Sequence, residues 1–273
     1  MRASSMRRAA LVLAALLAAA PPLALAAPAA ELVRRLPAEE ARQGVAVDAR
    51  HLYAVDNSTI AKYDRRTGRK AAVWTGDPER FAHLNSCAVI RRELVCAASN
   101  YPAVPMRSSV EVFDPRRMVH LRSIPLGPQP GSLTWADWKD GAWWAAFANY
   151  DGRGGEPGRD HRHTTLVKFD PRWRPLASWT FPPSVLERLK PRSASGGGWG
   201  PDGRLYVTGH DAGEIYVLRA PEGGGVLEHL ATLPAPIHGQ AIAFDPADRR
   251  TVFGVSRPDR QIVEMRLPHG LPE

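Results

Sequence analysis

A six-residue segment rich in β-branched and aromatic side chains recurs five times along the chain, at 59–64, 109–114, 165–170, 214–219 and 261–266. The last residues of these copies stand 50, 56, 49 and 47 residues apart, and the first three copies end in an acid that can open a turn. Upstream of each copy the sequence reads as a hairpin, over 45–55, 87–97, 133–148, 199–208 and 241–255. Turn residues such as Asp140-Gly141 and Gly200-Pro201-Asp202-Gly203 sit at the tips. Downstream of the first four copies comes one more strand, over 69–74, 119–124, 176–181 and 226–233. A unit of four antiparallel strands cannot bury its faces alone, so successive copies must stack on one another. With 23 Gly and 25 Pro among 273 residues, the composition suits many turns and disfavours a bundle of long helices.

These features predict an all-β chain, a five-bladed β-propeller of four-stranded antiparallel blades. The fifth copy stops at Arg266-Leu267-Pro268 with no fourth strand after it. Near the other end, Leu32-Val33-Arg34-Arg35-Leu36-Pro37-Ala38 echoes Leu230-Ala231-Thr232-Leu233-Pro234-Ala235 at the close of the fourth repeat. The early strand is expected to complete the last blade and close the ring, which removes exposed sheet edges. A β-sandwich and a six-bladed ring are the competing folds. Segment 182–192 carries Val185, Leu186 and Leu189 at helical spacing and predicts a short helix between two blades.

Arg2, Arg7 and Arg8 precede an apolar run from Ala9 to Ala20, followed by Pro21-Pro22 and Ala24-Leu25-Ala26. This is the pattern of a secretory signal peptide over 1–26, with a run too short to span a bilayer permanently. The expectation is one domain over 27–273, periplasmic or secreted and not inserted in a membrane, with Sec and twin-arginine export both open. The chain holds 36 Lys and Arg against 28 Asp and Glu, and removing the three arginines of 1–26 leaves a net charge of +5. Those cations are scattered and form no basic stripe with interleaved aromatics, so nucleic acid is not expected as a partner.

In a propeller blade, the loops entering the innermost strand and those joining the second strand to the third open on one face of the ring. The entering segments hold Gln43, His83, Asn85, Ser132, Ser193, Ser195, His238 and Gln240. The joining segments hold Asp56-Asn57, Asn100-Tyr101, Asn149-Tyr150-Asp151, His210-Asp211 and Asp259. That concentration points to a small polar ligand at the channel mouth. His83, His210 and Asp211 are the candidates for proton transfer, because imidazole titrates near neutrality and a carboxylate fixes its tautomer. Adjacent strand residues face opposite sides, so His210 and Asp211 need not touch. Asn85, Asn100, Tyr101, Asn149, Tyr150, Asp151, His238 and Gln240 are the candidates for holding the ligand. The competing structural roles are left-handed strand ends for Asn and packing between blades for Tyr. One divalent metal ion is a possible cofactor, with His83, Asn85, His238 and Gln240 joined by Asp211 or Asp151, although no metal-binding spacing motif supports it. The glycine-rich loop 151–163 has the length and composition of a lid or of a solvated surface loop. Paired carboxylates for glycoside hydrolysis are missing from the inner-strand loops, and no Gly-x-Ser-x-Gly elbow is present.

Cys87 and Cys96 flank Arg91-Arg92, and a two-residue turn there sets the two cysteines directly opposite as a non-hydrogen-bonded pair. A disulfide is therefore expected between them, in keeping with an oxidising compartment.

Several stretches carry a resemblance: Gln43-Gly44-Val45-Ala46-Val47-Asp48, His83-Leu84-Asn85-Ser86, Ser99-Asn100-Tyr101-Pro102, Gly131-Ser132-Leu133-Thr134-Trp135, and Gly198-Trp199-Gly200-Pro201-Asp202-Gly203 through Gly209-His210-Asp211. Together they resemble secreted bacterial propeller proteins commonly labelled cycloisomerase, by analogy with lactone-forming muconate propellers. The resemblance implies the fold over nearly the whole chain beyond 26, and lactone or cyclic-ester chemistry as the activity. Its catalytic residues do not map onto this sequence. Plant-type glutaminyl cyclases are also secreted five-bladed propellers, but this chain differs from them in lacking an evident Glu at the inner-strand loops. A noncatalytic module that recognises a partner protein or a glycan on the same face is the reading from another class.

Overall fold

The computed structural model describes residues 28–127 and 130–271. The expected signal peptide, 1–26, lies outside the described residues. Strand β1 (Glu31–Pro37) comes first. The first blade is β2 (Gly44–Val47), β3 (His51–Asp56), β4 (Thr59–Asp64) and β5 (Lys70–Thr75). The second is β6 (His83–Ile90), β7 (Glu93–Ser99), β8 (Ser108–Asp114) and β9 (Val119–Pro125). The third is β10 (Ser132–Lys139), β11 (Ala142–Ala148), β12 (Thr165–Phe169) and β13 (Pro175–Thr180), followed by helix α1 (Pro183–Leu189). The fourth contains β14 (Gly196–Trp199), β15 (Leu205–Thr208) and β16 (Glu214–Arg219). Next comes β17 (Gly225–Val226), which leaves the repeat and pairs parallel with β13 of the third blade, before β18 (Glu228–Pro234) completes the fourth. This corrects the expectation of one strand over 226–233: Leu227 donates its backbone N–H to Thr180 O at 2.9 Å, and the break covers part of an outer edge. The fifth blade is β19 (Ile242–Phe244), β20 (Thr251–Ser256) and β21 (Gln261–Arg266), closed by β1 pairing antiparallel with β21.

Why the repeat folds this way is visible in its residues. Side chains alternate across a strand, and in β3 Leu52 and Ala54 pack toward the fifth blade while Tyr53 and Val55 pack toward the second. Both faces are covered, so the second strands read as nearly continuous apolar runs. Five buried clusters result, one at each junction between neighbouring blades, the fifth-to-first junction included. A β-sandwich has one such core, and a six-bladed ring needs six. The acids that end the first three copies accept turn N–H groups, Asp64 from Thr67 at 2.7 Å, Asp114 from Arg116 at 2.8 Å and Asp170 from Arg172 at 2.8 Å. The Thr67 hydroxyl on Asp64, the Arg116 N–H on Asp114 and the Arg174 N–H on Asp170 do most to hold these carboxyls below the usual carboxylate range.

The hairpin of the second blade turns on Arg91 and Arg92, both at positive φ (50° and 69°), as a two-residue loop that follows the strand twist requires. Cys87 then faces Cys96, with Cα atoms 4.0 Å apart and the disulfide formed. Val185, Leu186 and Leu189 of α1 are buried against the third and fourth blades. No helix among the described residues is long and apolar enough to cross a membrane.

Candidate functional site

On the face opened by the strand-entering loops lies a cavity of about 460 Å³. It is lined by Gln43, Asn57, His83, Asn85, Tyr101, Tyr150, Arg153, Arg192, Ser195, His210, Gln240 and Arg257, with Ala82 and Pro102. A bond across the channel marks its floor: Ser86 Oγ of the second blade donates to Ser195 O, ahead of the fourth, at 3.2 Å. Below it a smaller space of about 160 Å³ is walled mainly by apolar side chains, Trp135, Trp199, Ile242 and Phe244 among them.

His83 is the first residue of β6 and is buried. Its Nδ1 lies 2.9 Å from Asn57 Oδ1, which also accepts from Gln43 Nε2 at 3.3 Å, and Asn85 Nδ2 stands 3.3 Å from its Nε2. An amide oxygen only accepts and an amide nitrogen only donates, so Nδ1 carries the proton and Nε2 is the acceptor. Burial, with the charges of Arg257 and His210 nearby, pushes the imidazole down to about 4. His83 is thus neutral at physiological pH.

His210 and Asp211, which strand alternation alone would not bring together, do meet. Residues 209–212 are not strand but a bend, and His210 Nδ1 approaches Asp211 Oδ1 to 2.7 Å. Its Nε2 accepts from Arg257 Nη1 at 3.0 Å. Burial depresses this imidazole, Asp211 opposes the shift, and Arg257 and Arg192 reinforce it. The bend is held from below by Gly239 and Gln240, both at positive φ (60° and 63°). A Cβ on Gly239 would stand 2.4 Å from Gly209 O, so only glycine fits there. Gln240 N–H donates to Gly209 O at 2.8 Å and its Nε2 to His210 O at 3.1 Å. A glutamine kept in the left-handed region is a local strain at the site.

One wall is aromatic. The rings of His83 and Tyr101 lie 5.1 Å apart, and those of Tyr101 and Tyr150 lie 5.0 Å apart. Gly154 rests on Tyr101 so closely that a Cβ would meet the ring at 2.2 Å. The long loop is therefore pinned rather than free: Glu156 accepts from Met106 N–H, Arg159 Nη1 donates to Pro130 O at 3.0 Å, and Asp151 N–H donates to Pro191 O at 3.1 Å. What it brings to the cavity is Arg153.

The structure separates the other expected residues from the cavity lining. Asn100 braces its own loop, accepting from Arg107 N–H at 2.7 Å and donating to Pro105 O at 3.1 Å. Asn149 is buried and donates to Pro130 O at 2.6 Å and His163 O at 3.0 Å. His238 Nδ1 bonds with Ser256 Oγ at 3.0 Å. Asp151 pairs with His161 Nδ1 at 2.8 Å, and Asp211 reaches the cavity only through His210. Of the expected metal set, His83, Asn85 and Gln240 line the cavity, whereas His238 bonds Ser256, Asp151 pairs with His161 and Asp211 with His210, and the three guanidinium groups of the mouth would oppose a cation there. Among the described residues, Asp151, Asp160 and His161 place ligand atoms within 4.8 Å of one another. Both carboxylates already have partners, Asp151 in His161 and Asp160 in Arg162.

Three arginines, Arg153, Arg192 and Arg257, were not among the residues the sequence singled out. They occupy the same loops as the amides and histidines, and scanning those loops for cations would have found them.

No protein-family model and no curated protein matches the chain. Among solved structures, a luciferin-regenerating enzyme is similar at 12% identity with a TM-score of 0.51, covering 90% of this chain and 97% of that one. That likeness supports the fold alone. A PQQ-bound aldose sugar dehydrogenase from Streptomyces coelicolor aligns at 13% identity with a TM-score of 0.48, over 93% of this chain and 84% of its own. A chain of a mitotic checkpoint complex aligns at 12% identity with a TM-score of 0.49, over 96% and 99% respectively.

Proposed function

We propose that this propeller binds a small polar ligand at the upper mouth of its channel and transfers a proton there through His210, in lactone or cyclic-ester chemistry. The observation that carries the reading is the His210–Asp211 pair at 2.7 Å, with His210 in the lining of a cavity of about 460 Å³. With Nδ1–H fixed on the carboxylate, Nε2 is the basic nitrogen. Once Arg257 Nη1, which holds the Nε2 lone pair at 3.0 Å, has moved away, this nitrogen can accept a proton from water that attacks a lactone carbonyl, or return one to carbon in the cyclising direction. Asn85, Gln240 and Ser195 offer groups to orient ligand oxygens, and Tyr101 and Tyr150 offer ring surface. Secretion after cleavage of 1–26 belongs to the same reading, and the disulfide is compatible with it.

A noncatalytic recognition module is the second reading. It is favoured by the two imidazoles, each already bonded at both nitrogens. The test is a panel of five- and six-membered lactones followed by NMR, with the wild type beside His210→Gln. Turnover that falls about 100-fold or more in the variant, with binding retained, supports the enzyme. Binding at the mouth with no turnover in either protein supports recognition.

A further inference from the structure

The mouth gathers three guanidinium groups, Arg153, Arg192 and Arg257, and among the described residues no carboxylate lines the same cavity. Some arginines elsewhere are matched to carboxylates, Arg34 to Glu264, Arg42 to Asp56, Arg65 to Asp245 and Arg122 to Glu93, and others among the described residues are unpaired on the open surface; what sets the mouth apart is that three share one cavity. Among the described residues none of the three mouth arginines is in an ion pair, and Arg257 spends a donor on the neutral His210 ring. Like charges converging in a concave site repel one another, and a free protein gains nothing from the arrangement. The surroundings are neutral donors and rings, Asn85, Gln240, Ser195, Tyr101 and Tyr150. Two carboxylates stand at the margin, Asp211 turned to His210 and Asp56 bonded to Arg42, the latter near enough to Arg257 for the two charges to interact without an ion pair.

Resting on the reading of the mouth as a ligand site, we propose that its ligand is an organic oxyanion, whose carboxylate or phosphate group is received by Arg192 and Arg257. Guanidinium presents a planar fork to such groups, and a charged acceptor bonds it more strongly than a neutral imidazole does. Binding therefore draws Arg257 from His210 Nε2 toward the ligand. The organic part lies against the wall of His83, Tyr101 and Tyr150, rings 5.0 to 5.1 Å apart.

The test is calorimetric titration at constant ionic strength with benzoate, phenyl phosphate and inorganic phosphate, beside benzamide as the uncharged counterpart. Variants are Arg192→Gln, Arg257→Gln and the conservative Arg257→Lys, with Arg91→Gln on the opposite face as control. Circular dichroism confirms that each is folded. The expected result is one site per chain, weakened at least about tenfold in either glutamine variant and by removal of the charge from the probe, less so in Arg257→Lys, and unmoved in Arg91→Gln. Benzoate against phenyl phosphate tells carboxylate from phosphate, and inorganic phosphate tells whether the ring contributes. Benzamide binding as tightly as benzoate, with no loss in the arginine variants but a loss in Tyr101→Ala, overturns the oxyanion while leaving the mouth as the site. Anion binding that Arg91→Gln weakens as much as Arg257→Gln overturns it as diffuse attraction to a basic surface. No binding of any probe by the folded protein overturns both.

Discussion

The two ends of the channel are built from the same inner strands and differ in every other respect. Above the Ser86–Ser195 bond the wall is amides, imidazoles, phenols and guanidiniums, and the backbone is bent into left-handed conformations at Asn57 and Gln240. Below it Trp135, Trp199, Ile242 and Phe244 are prominent in the wall, Asp137 accepts from the N–H groups of Trp138 and Trp199, and the indole N–H groups of Trp135 and Trp199 are buried without a partner among the described residues. Packing of the lower kind stabilises a fold, whereas uncompensated charge and strain at the upper end cost stability and mark function. On the proposed reading the ring carries its tightest packing and its ligand site at opposite ends of one axis.

Removing Trp135 should show the largest effect. It is fully buried between the third and fourth blades, and Trp135→Ala should cost about 3 to 5 kcal/mol in chemical denaturation. A loss under about 1 kcal/mol would mean that the lower end is looser than its packing implies. Reduction of the disulfide, as Cys87→Ser with Cys96→Ser, should cost about 2 to 3 kcal/mol on loop-entropy grounds, because the bridge closes a short hairpin.

The same contrast explains what was legible in the sequence. The unbroken apolar run over 52–55, with a counterpart in every blade, requires a strand buried on both faces, and the ring follows from five copies and an orphan strand at 31–37. Arg91-Arg92 between two cysteines likewise implies its own turn and pairing. The mouth was legible only as a set of loops. Whether an amide faces the channel or its own loop depends on turn geometry over a few residues, so Asn85 lines the cavity while Asn100 and Asn149 brace backbone. His210 meets Asp211 because a bend replaces the strand there, and alternation rules do not apply to bends.

Acidification should act on the upper end first. The imidazole of His83 is neutral in the folded protein down to about 4, while in the unfolded chain it takes a proton near 6.5. The unfolded state therefore binds more protons in this window. Stability from this group is complete above about 6.5 and is lost as pH falls toward about 4, by on the order of 2 to 3 kcal/mol. Denaturation of wild type and His83→Gln across that range should show their difference shrinking at low pH, and a constant difference would remove the role given to burial. The smallest effect on stability belongs to Arg257→Gln, within about 0.5 kcal/mol of wild type, since no ion pair is broken and Asp56, which feels the Arg257 charge, keeps its bond to Arg42. The same change should raise the titration midpoint of His210 followed by NMR, because a cation and a donor to Nε2 both disappear.

The most direct test of the division between the two ends is a crystallographic soak with benzoate, phenyl phosphate, benzamide and toluene. The account predicts oxyanion density in the upper cavity against Arg192 and Arg257, with the lower space unoccupied. Ligand density confined to the lower space, between Trp135 and Trp199, would contradict it.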